Sequence, residues 1–194
     1  MSIVVPMTLP NILTLLRVAA IPLLVVLFYL PEPVGTQWAA VLFAAAGITD
    51  WFDGYLARRS GQTSAFGAFL DPVADKLIVV VALVLLTERI DSLWMTIAAC
   101  VVIGREVVVS ALREWMAQYG NRASVAVTFV AKLKTVMQMV AITGLLWHAK
   151  APVMAFWRLV AEGLLLLAVL LTLWSMVAYL KAFWSAVQRA DGAD

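Results

Sequence analysis

Eighteen consecutive residues, Gly163 to Leu180, carry no charge. A bilayer offers such a run no hydrogen-bond partners, so its backbone must bond to itself, and about 20 apolar residues wound as an α-helix cross the hydrocarbon layer. The rest of the chain uses the same alphabet: 64% of its 194 residues are hydrophobic and 13% charged, where a soluble domain carries roughly 25% charge. The chain is therefore read as an all-α polytopic membrane protein. At about 20 residues per crossing it has room for six or seven helices and little else.

Composition also removes function classes. A net charge of +2 is too small to point to nucleic acid. Cys100 and His148 are each the only residue of their kind, which excludes an internal disulfide, a zinc site and a Cys/His nucleophilic pair. Residues 1–7 carry no charge, so the basic start of a cleavable signal peptide is not expected.

Punctuation then divides the chain into six helices. Helix 1 is predicted from near Thr8 to near Leu30, with Pro10 in its first turn and Pro31 to Gly35 as its stop. Helix 2 follows from about Thr36 to Ser60, and Ser60 to Ser64 reads as a tight link. Helix 3 carries Asp71 and Asp75 in its early turns and continues to Leu86; Pro72 is tolerated near a helix start and would bend the helix deeper in. Helix 4 runs from about Leu93 to Trp115, helix 5 from roughly Val125 to Trp147, and helix 6 contains the uncharged run. Residues 1–187 are read as one transmembrane domain and 188–194 as a polar, disordered tail, with no internal repeat.

If the crossings alternate, every intrusion of charge falls at one end of the bundle. That end collects Arg17, the segment from Asp50 to Arg59, Asp71 to Lys76, Arg105 to Arg113, Lys132, Lys134, Lys181 and Arg189. The opposite turns hold Arg89, Lys150 and Arg158 beside Glu32, Glu88, Asp91 and Glu162. The Lys/Arg bias makes the charge-rich end cytoplasmic, with both termini inside and a polar cavity open on that side of a six-helix bundle.

Four aspartates dominate that end: Asp50, Asp53, Asp71 and Asp75. A carboxylate costs several kcal/mol to bring near the bilayer interior, so cations or water must compensate four of them. Asp50 and Asp53 are three apart and Asp71 and Asp75 four apart, so each pair projects from one helix face, and two facing edges would bring all four together. Oxygen ligands without Cys or His suit hard cations such as Mg²⁺ or Mn²⁺. Gly54 and Gly67 leave room for a ligand or a neighbouring helix, and Arg58 can meet phosphate. A solvated loop, or an ion-pair cluster with Arg58, Arg59 and Lys76, is the simpler account, but it needs neither the helical pairing nor the glycines. Asn11, Thr14 and Arg17 share a face of helix 1, either as a cap with a snorkelling arginine or as a polar edge lining the carboxylate cavity.

The pattern Asp-x2-Asp-Gly-x2-Ala-Arg-x8-Gly-x3-Asp-x3-Asp, unbroken from Asp50 to Asp75, resembles the signature of the CDP-alcohol phosphotransferases. These are membrane enzymes that move a phosphatidyl group from a CDP-linked donor to an alcohol. The flanking text Phe69-Leu70-Asp71-Pro72-Val73-Ala74-Asp75-Lys76 and Ser110-Ala111-Leu112-Arg113-Glu114-Trp115 resembles the bacterial phosphatidylglycerophosphate synthase branch of that family. The resemblance implies that Asp50, Asp53 and Asp71 hold two divalent ions and that Asp75 is shared between metal binding and taking the acceptor's proton. It implies that Gly54, Ala57, Arg58 and Gly67 lie against the donor's cytidine and pyrophosphate, and it favours a donor-side role for Asn11 and Thr14. It further implies CDP-diacylglycerol and sn-glycerol 3-phosphate as substrates, a homodimer, and a place in the inner membrane of a bacterium.

The signature alone does not choose the acceptor, because other members of the family use inositol phosphate, serine, choline or phosphatidylglycerol. The surplus cations Arg105, Arg113, Lys132 and Lys134 favour a phosphorylated one, unless they serve only as topology charges. On a regular helix Lys132 and Lys134 are about 200° apart, so one of them faces the cavity. Intramembrane carboxylates also mark ion pathways, which makes a divalent-cation transporter the alternative of another class; the charges, however, occupy only one half of the bilayer.

Overall fold

In the computed structural model, residues 9–60, 65–118, 129–148 and 155–191 are described. They form six helices and no strand: α1 (Leu9–Phe28), α2 (Val34–Ser60), α3 (Ala65–Ile90), α4 (Leu93–Gln118), α5 (Phe129–Trp147) and α6 (Ala155–Asp191). The expected link from Gly61 to Ser64 and the start of helix 5 at Val125 lie outside the described residues.

Three helices hold a stretch long and apolar enough to cross a bilayer unaided: Asn11–Phe28, Leu93–Leu112 and Phe156–Lys181. The apolar part of α5, Leu133–Trp147, is shorter. In α2 and α3 the apolar stretches run into the aspartate segment before they reach that length. The chain is thus an all-α membrane protein in which two charge-bearing helices depend on their neighbours for burial.

Two local expectations change. Gln188 to Asp191, read as the start of a disordered tail, continue α6, whose 37 residues run about 55 Å, beyond the roughly 30 Å hydrocarbon layer. Pro72 is interior to α3, which begins at Ala65, and Pro22 is interior to α1. Each removes one backbone donor, a loss that packed neighbours in a membrane helix bundle tolerate.

Helix α1 packs on α2 and α3, α2 on α5, α3 on α4 and α5, and α6 on α4 and α5. The core between them joins Leu24, Phe28, Phe43, Ile78, Leu83, Leu86, Ile142, Leu146 and Leu165. Lipid tails are as apolar as leucine, so close packing, not escape from water, selects the partners. Small residues permit it: Ala39, Ala40, Ala82, Ala98, Ala141 and Ala161 are buried, and a Cβ on Gly144 would stand 3.1 Å from that of Ala161, where α5 meets α6.

One ion pair closes the apolar end. Arg89, in the last turn of α3, donates to Glu32 in the α1–α2 turn and, at 2.9 Å, to the Phe28 carbonyl, and its guanidinium lies 4.4 Å from the centre of the Phe28 ring. Next to it Asp91, the residue after α3, has a left-handed φ of 44°, and the Ser92 hydroxyl caps α4 by accepting the Met95 N–H at 3.1 Å. At the other end, the starts of α1, α3 and α5 meet the ends of α2, α4 and α6, as the contacts below and the packing of the Trp115 and Phe183 rings at 4.8 Å show.

Candidate active site

The polar face of α1 continues its apolar one. Asn11, Thr14 and Arg17, all 3% exposed or less, lie on the same stripe as buried Ala20, Leu24 and Phe28. This stripe is pressed against α2 and α3, so the three polar residues cannot be a solvated cap. Arg17 Nη1 lies 3.0 Å from Asp50 Oδ1, and the Thr14 hydroxyl donates to Asp71 Oδ1. Helix α1 thereby holds one carboxylate from each aspartate pair. Burying a guanidinium is costly without a partner, and Asp50 supplies one.

Asp50 and Asp75 face a common groove of about 770 Å³ between α2, α3 and α5. Its floor and walls are apolar or weakly polar, including Ala44, Gly47, Ile48, Val136, Met139 and Val140, and it ends at Trp147 and His148. From Thr135 to His148 it follows α5 for about 20 Å, two-thirds of the hydrocarbon thickness. Around Asp75 the fields of Asp50 and Glu106 oppose those of Arg17 and Lys76.

A second polar cluster joins α3, α4 and α5. Arg105 and Lys134, with side chains 9% and 4% exposed, both approach Glu106 Oε1: Arg105 Nη1 donates to it and Lys134 Nζ stands 4.0 Å away. Lys76 Nζ donates to Ser110 Oγ at 2.5 Å, and that hydroxyl donates to the Glu106 carbonyl at 2.5 Å. Of the two lysines that sequence alone left open, Lys134 is thus inside.

The side chains of Asp53, Ala57, Arg58, Arg113 and Lys132, and the surroundings of Gly54, lie outside what is described, although the backbone at all six is helical. Gly67 is buried in the first turn of α3. Among the described residues no three acidic, His or Cys side chains close on one point as metal ligands would. Sequence reasoning passed over Glu106 as one more charge on α4. It also passed over Gln138, buried on α5 one turn beyond Lys134. The stripe of buried apolar residues Ala141, Ile142 and Leu145, followed backwards at helical spacing, reaches both Gln138 and Lys134 and could have singled them out.

Comparison with known proteins identifies the family. The family model for CDP-alcohol phosphatidyltransferase matches residues 7–184. The chain is 52% identical over 173 residues to the CDP-diacylglycerol–glycerol-3-phosphate 3-phosphatidyltransferase of Salmonella choleraesuis strain SC-B67, covering 89% of this chain and 93% of that one. It is 51% identical over 185 residues to the proteins of the same name from Escherichia coli K12 and Shigella flexneri serotype 5b, covering 95% of this chain and 97% of each of those. With residues 7–184 matched and relatives at about 51% identity covering most of its length, the chain belongs to the CDP-alcohol phosphatidyltransferase family.

Proposed function

We propose that this protein transfers the phosphatidyl group of CDP-diacylglycerol to sn-glycerol 3-phosphate, releasing CMP and phosphatidylglycerol phosphate. The observation that carries this reading is the groove: carboxylates stand at one end of a long apolar channel, as a lipid-linked pyrophosphate requires. Acyl chains would lie along α2 and α5, with the pyrophosphate at Asp50 and Asp75. Relatives at about 51% identity bear the name of this reaction.

The donor set fits divalent metal. Asp50, Asp71 and Asp75 offer only oxygen, two of them are already oriented by Arg17 and Thr14, and Asp53 stands one helical turn beyond Asp50. These four aspartates would hold Mg²⁺ or Mn²⁺, two ions in the reading that the signature supports. Such ions, when bound, supply positive charge to the pyrophosphate and to the attacking and leaving oxygens. The rest falls to the chain. Asp75 takes the proton of the acceptor hydroxyl as its oxygen bonds to the phosphatidyl phosphorus and the pyrophosphate P–O bond breaks, so CMP leaves with the electron pair. Gly54, Ala57, Arg58, Gly67 and Asn11 bound the donor, and Thr14 acts on it through Asp71. Arg105, Arg113, Lys132 and Lys134 are the cations assigned to the acceptor phosphate, Arg105 and Lys134 being the two that converge on Glu106.

Purified protein given CDP-diacylglycerol, Mg²⁺ and one acceptor at a time is expected to release CMP with glycerol 3-phosphate, at least tenfold faster than with serine, inositol phosphate or phosphatidylglycerol. A faster rate with any of these would reassign the acceptor. Metal uptake into sealed vesicles without CMP release would favour the cation-transporter alternative.

The same reading has six crossings in the bacterial inner membrane, a homodimer, and the site and both termini on the cytoplasmic side. In a Cys100→Ala background, a cysteine at exposed Gln188 is expected to be protected from a membrane-impermeant thiol reagent in intact cells, and one at exposed Val34 to react. Gly35 cannot carry the probe, because a Cβ there would come within 2.6 Å of the Leu27 and Leu30 carbonyls. Labelling at position 188 from outside would invert the topology.

A further inference from the structure

Neighbouring residues on a helix point about 100° apart and do not ordinarily meet, yet Arg105 Nη1 is drawn onto Glu106. The bend leaves Arg105 Nε buried and without a hydrogen-bond partner among the described residues. The same oxygen, Glu106 Oε1, also faces Lys134 from α5. One carboxylate therefore gathers two cations, each less than a tenth exposed, from two helices. Its backbone is meanwhile tied through Ser110 to Lys76, the residue that follows Asp75.

We propose that Glu106 is a positioning residue for the acceptor phosphate: it holds Arg105 and Lys134 converged on one point before the acceptor arrives. This rests on the assignment of those two cations to the acceptor. Deprived of the Glu106 carboxylate, the two buried cations would each lose a counter-charge that offsets their desolvation, and they would be drawn toward water or headgroups. With Glu106 present they are already in place, so the phosphate binds without waiting for two long side chains to be ordered. The carboxylate also lowers the positive charge of the pocket, which would weaken anion binding if charge alone mattered. The two effects have opposite signs, and the experiment separates them.

Glu106→Gln keeps the shape and removes the charge. In the CMP-release assay its KM for glycerol 3-phosphate is expected to rise about tenfold or more, while the KM for CDP-diacylglycerol and kcat at saturating acceptor move by less than about threefold. Glu106→Asp, which keeps the charge one methylene shorter, is expected to show the same selective change at smaller size, and it decides the matter should the glutamine variant fail to fold. A fall in acceptor KM would make Glu106 an occupant that the phosphate must displace and would overturn the proposal. Parallel changes in both KM values with a lowered Tm would reduce Glu106 to a packing role and overturn it too. Arg105→Gln and Lys134→Gln run beside them: if these raise the acceptor KM and Glu106→Gln does not, the positioning role alone fails. If neither cation matters, the acceptor site lies elsewhere and the role of Glu106 falls with it.

Discussion

Treating the purified protein with EDTA is expected to reduce CMP release by at least about a thousandfold, and adding Mg²⁺ or Mn²⁺ in excess of the chelator to restore it. The size follows from the charge to be managed. In the proposed reading a pyrophosphate approaches Asp50, Asp71 and Asp75, of which Asp50 is paired with Arg17. Divalent ions relieve that repulsion and stabilise the transition state by several kcal/mol, and each 1.36 kcal/mol is a factor of ten in rate. Ca²⁺, which takes more ligands at longer distances, is expected to bind without restoring full rate. The Tm in detergent, measured in the same samples, separates loss of chemistry from loss of fold, since the core around Phe28, Phe43 and Leu146 is remote from the aspartates and should survive chelation. Full activity in EDTA would leave the carboxylates without their proposed task.

How much of this was legible beforehand depended on whether a residue's role is local. The helices were readable because prolines and polar turns separate apolar runs, and the Arg89 closure sits at the end where few charges were expected, although its pairing with Glu32 was not foreseen. The common end of the charged segments was readable for the same reason: alternation of the crossings needs no knowledge of packing. Rotation about each helix axis was not readable. Spacing puts Lys132 and Lys134 on opposite sides of α5, but only the seating of Ala141, Ile142 and Leu145 in the core turns Lys134 inward. Arg17 is similar, since nothing local distinguishes a snorkelling arginine from one buried against Asp50. Glu106 was the hardest to see, because its value lies in a lysine 28 positions away on another helix. The continuation of α6 through Gln188 was missed because polar residues past a membrane span resemble a tail, whereas a helix already formed extends at little cost.

Replacing Asp75 with asparagine is expected to lower kcat by about a hundredfold to ten-thousandfold, the range that general-base catalysis supplies, while CDP-diacylglycerol binding changes little. Asp75 differs from its neighbours in what holds it. Asp50 is paired with Arg17 and Asp71 accepts from Thr14, so each has one oxygen committed to orientation. Asp75 lines the groove beside Asp50, and Lys76 next to it is engaged with Ser110. Lys76, the next residue, ties it through Ser110 to the backbone of Glu106, whose field reaches Asp75, so in the proposed reading an acceptor whose phosphate is held by Arg105 and Lys134 would bring its hydroxyl toward Asp75. Asparagine keeps the shape and one acceptor oxygen but cannot take a proton. Asp71→Asn should behave otherwise: with Thr14 still seated, it weakens metal and donor binding together, raising both the metal requirement and the donor KM. Equilibrium binding of CDP-diacylglycerol to both variants, measured at saturating Mg²⁺, distinguishes them. If Asp75→Asn turns over at near-normal rate, the proton goes to another group and the assignment of the base is wrong; if it loses donor binding as fully as Asp71→Asn, Asp75 is a ligand alone.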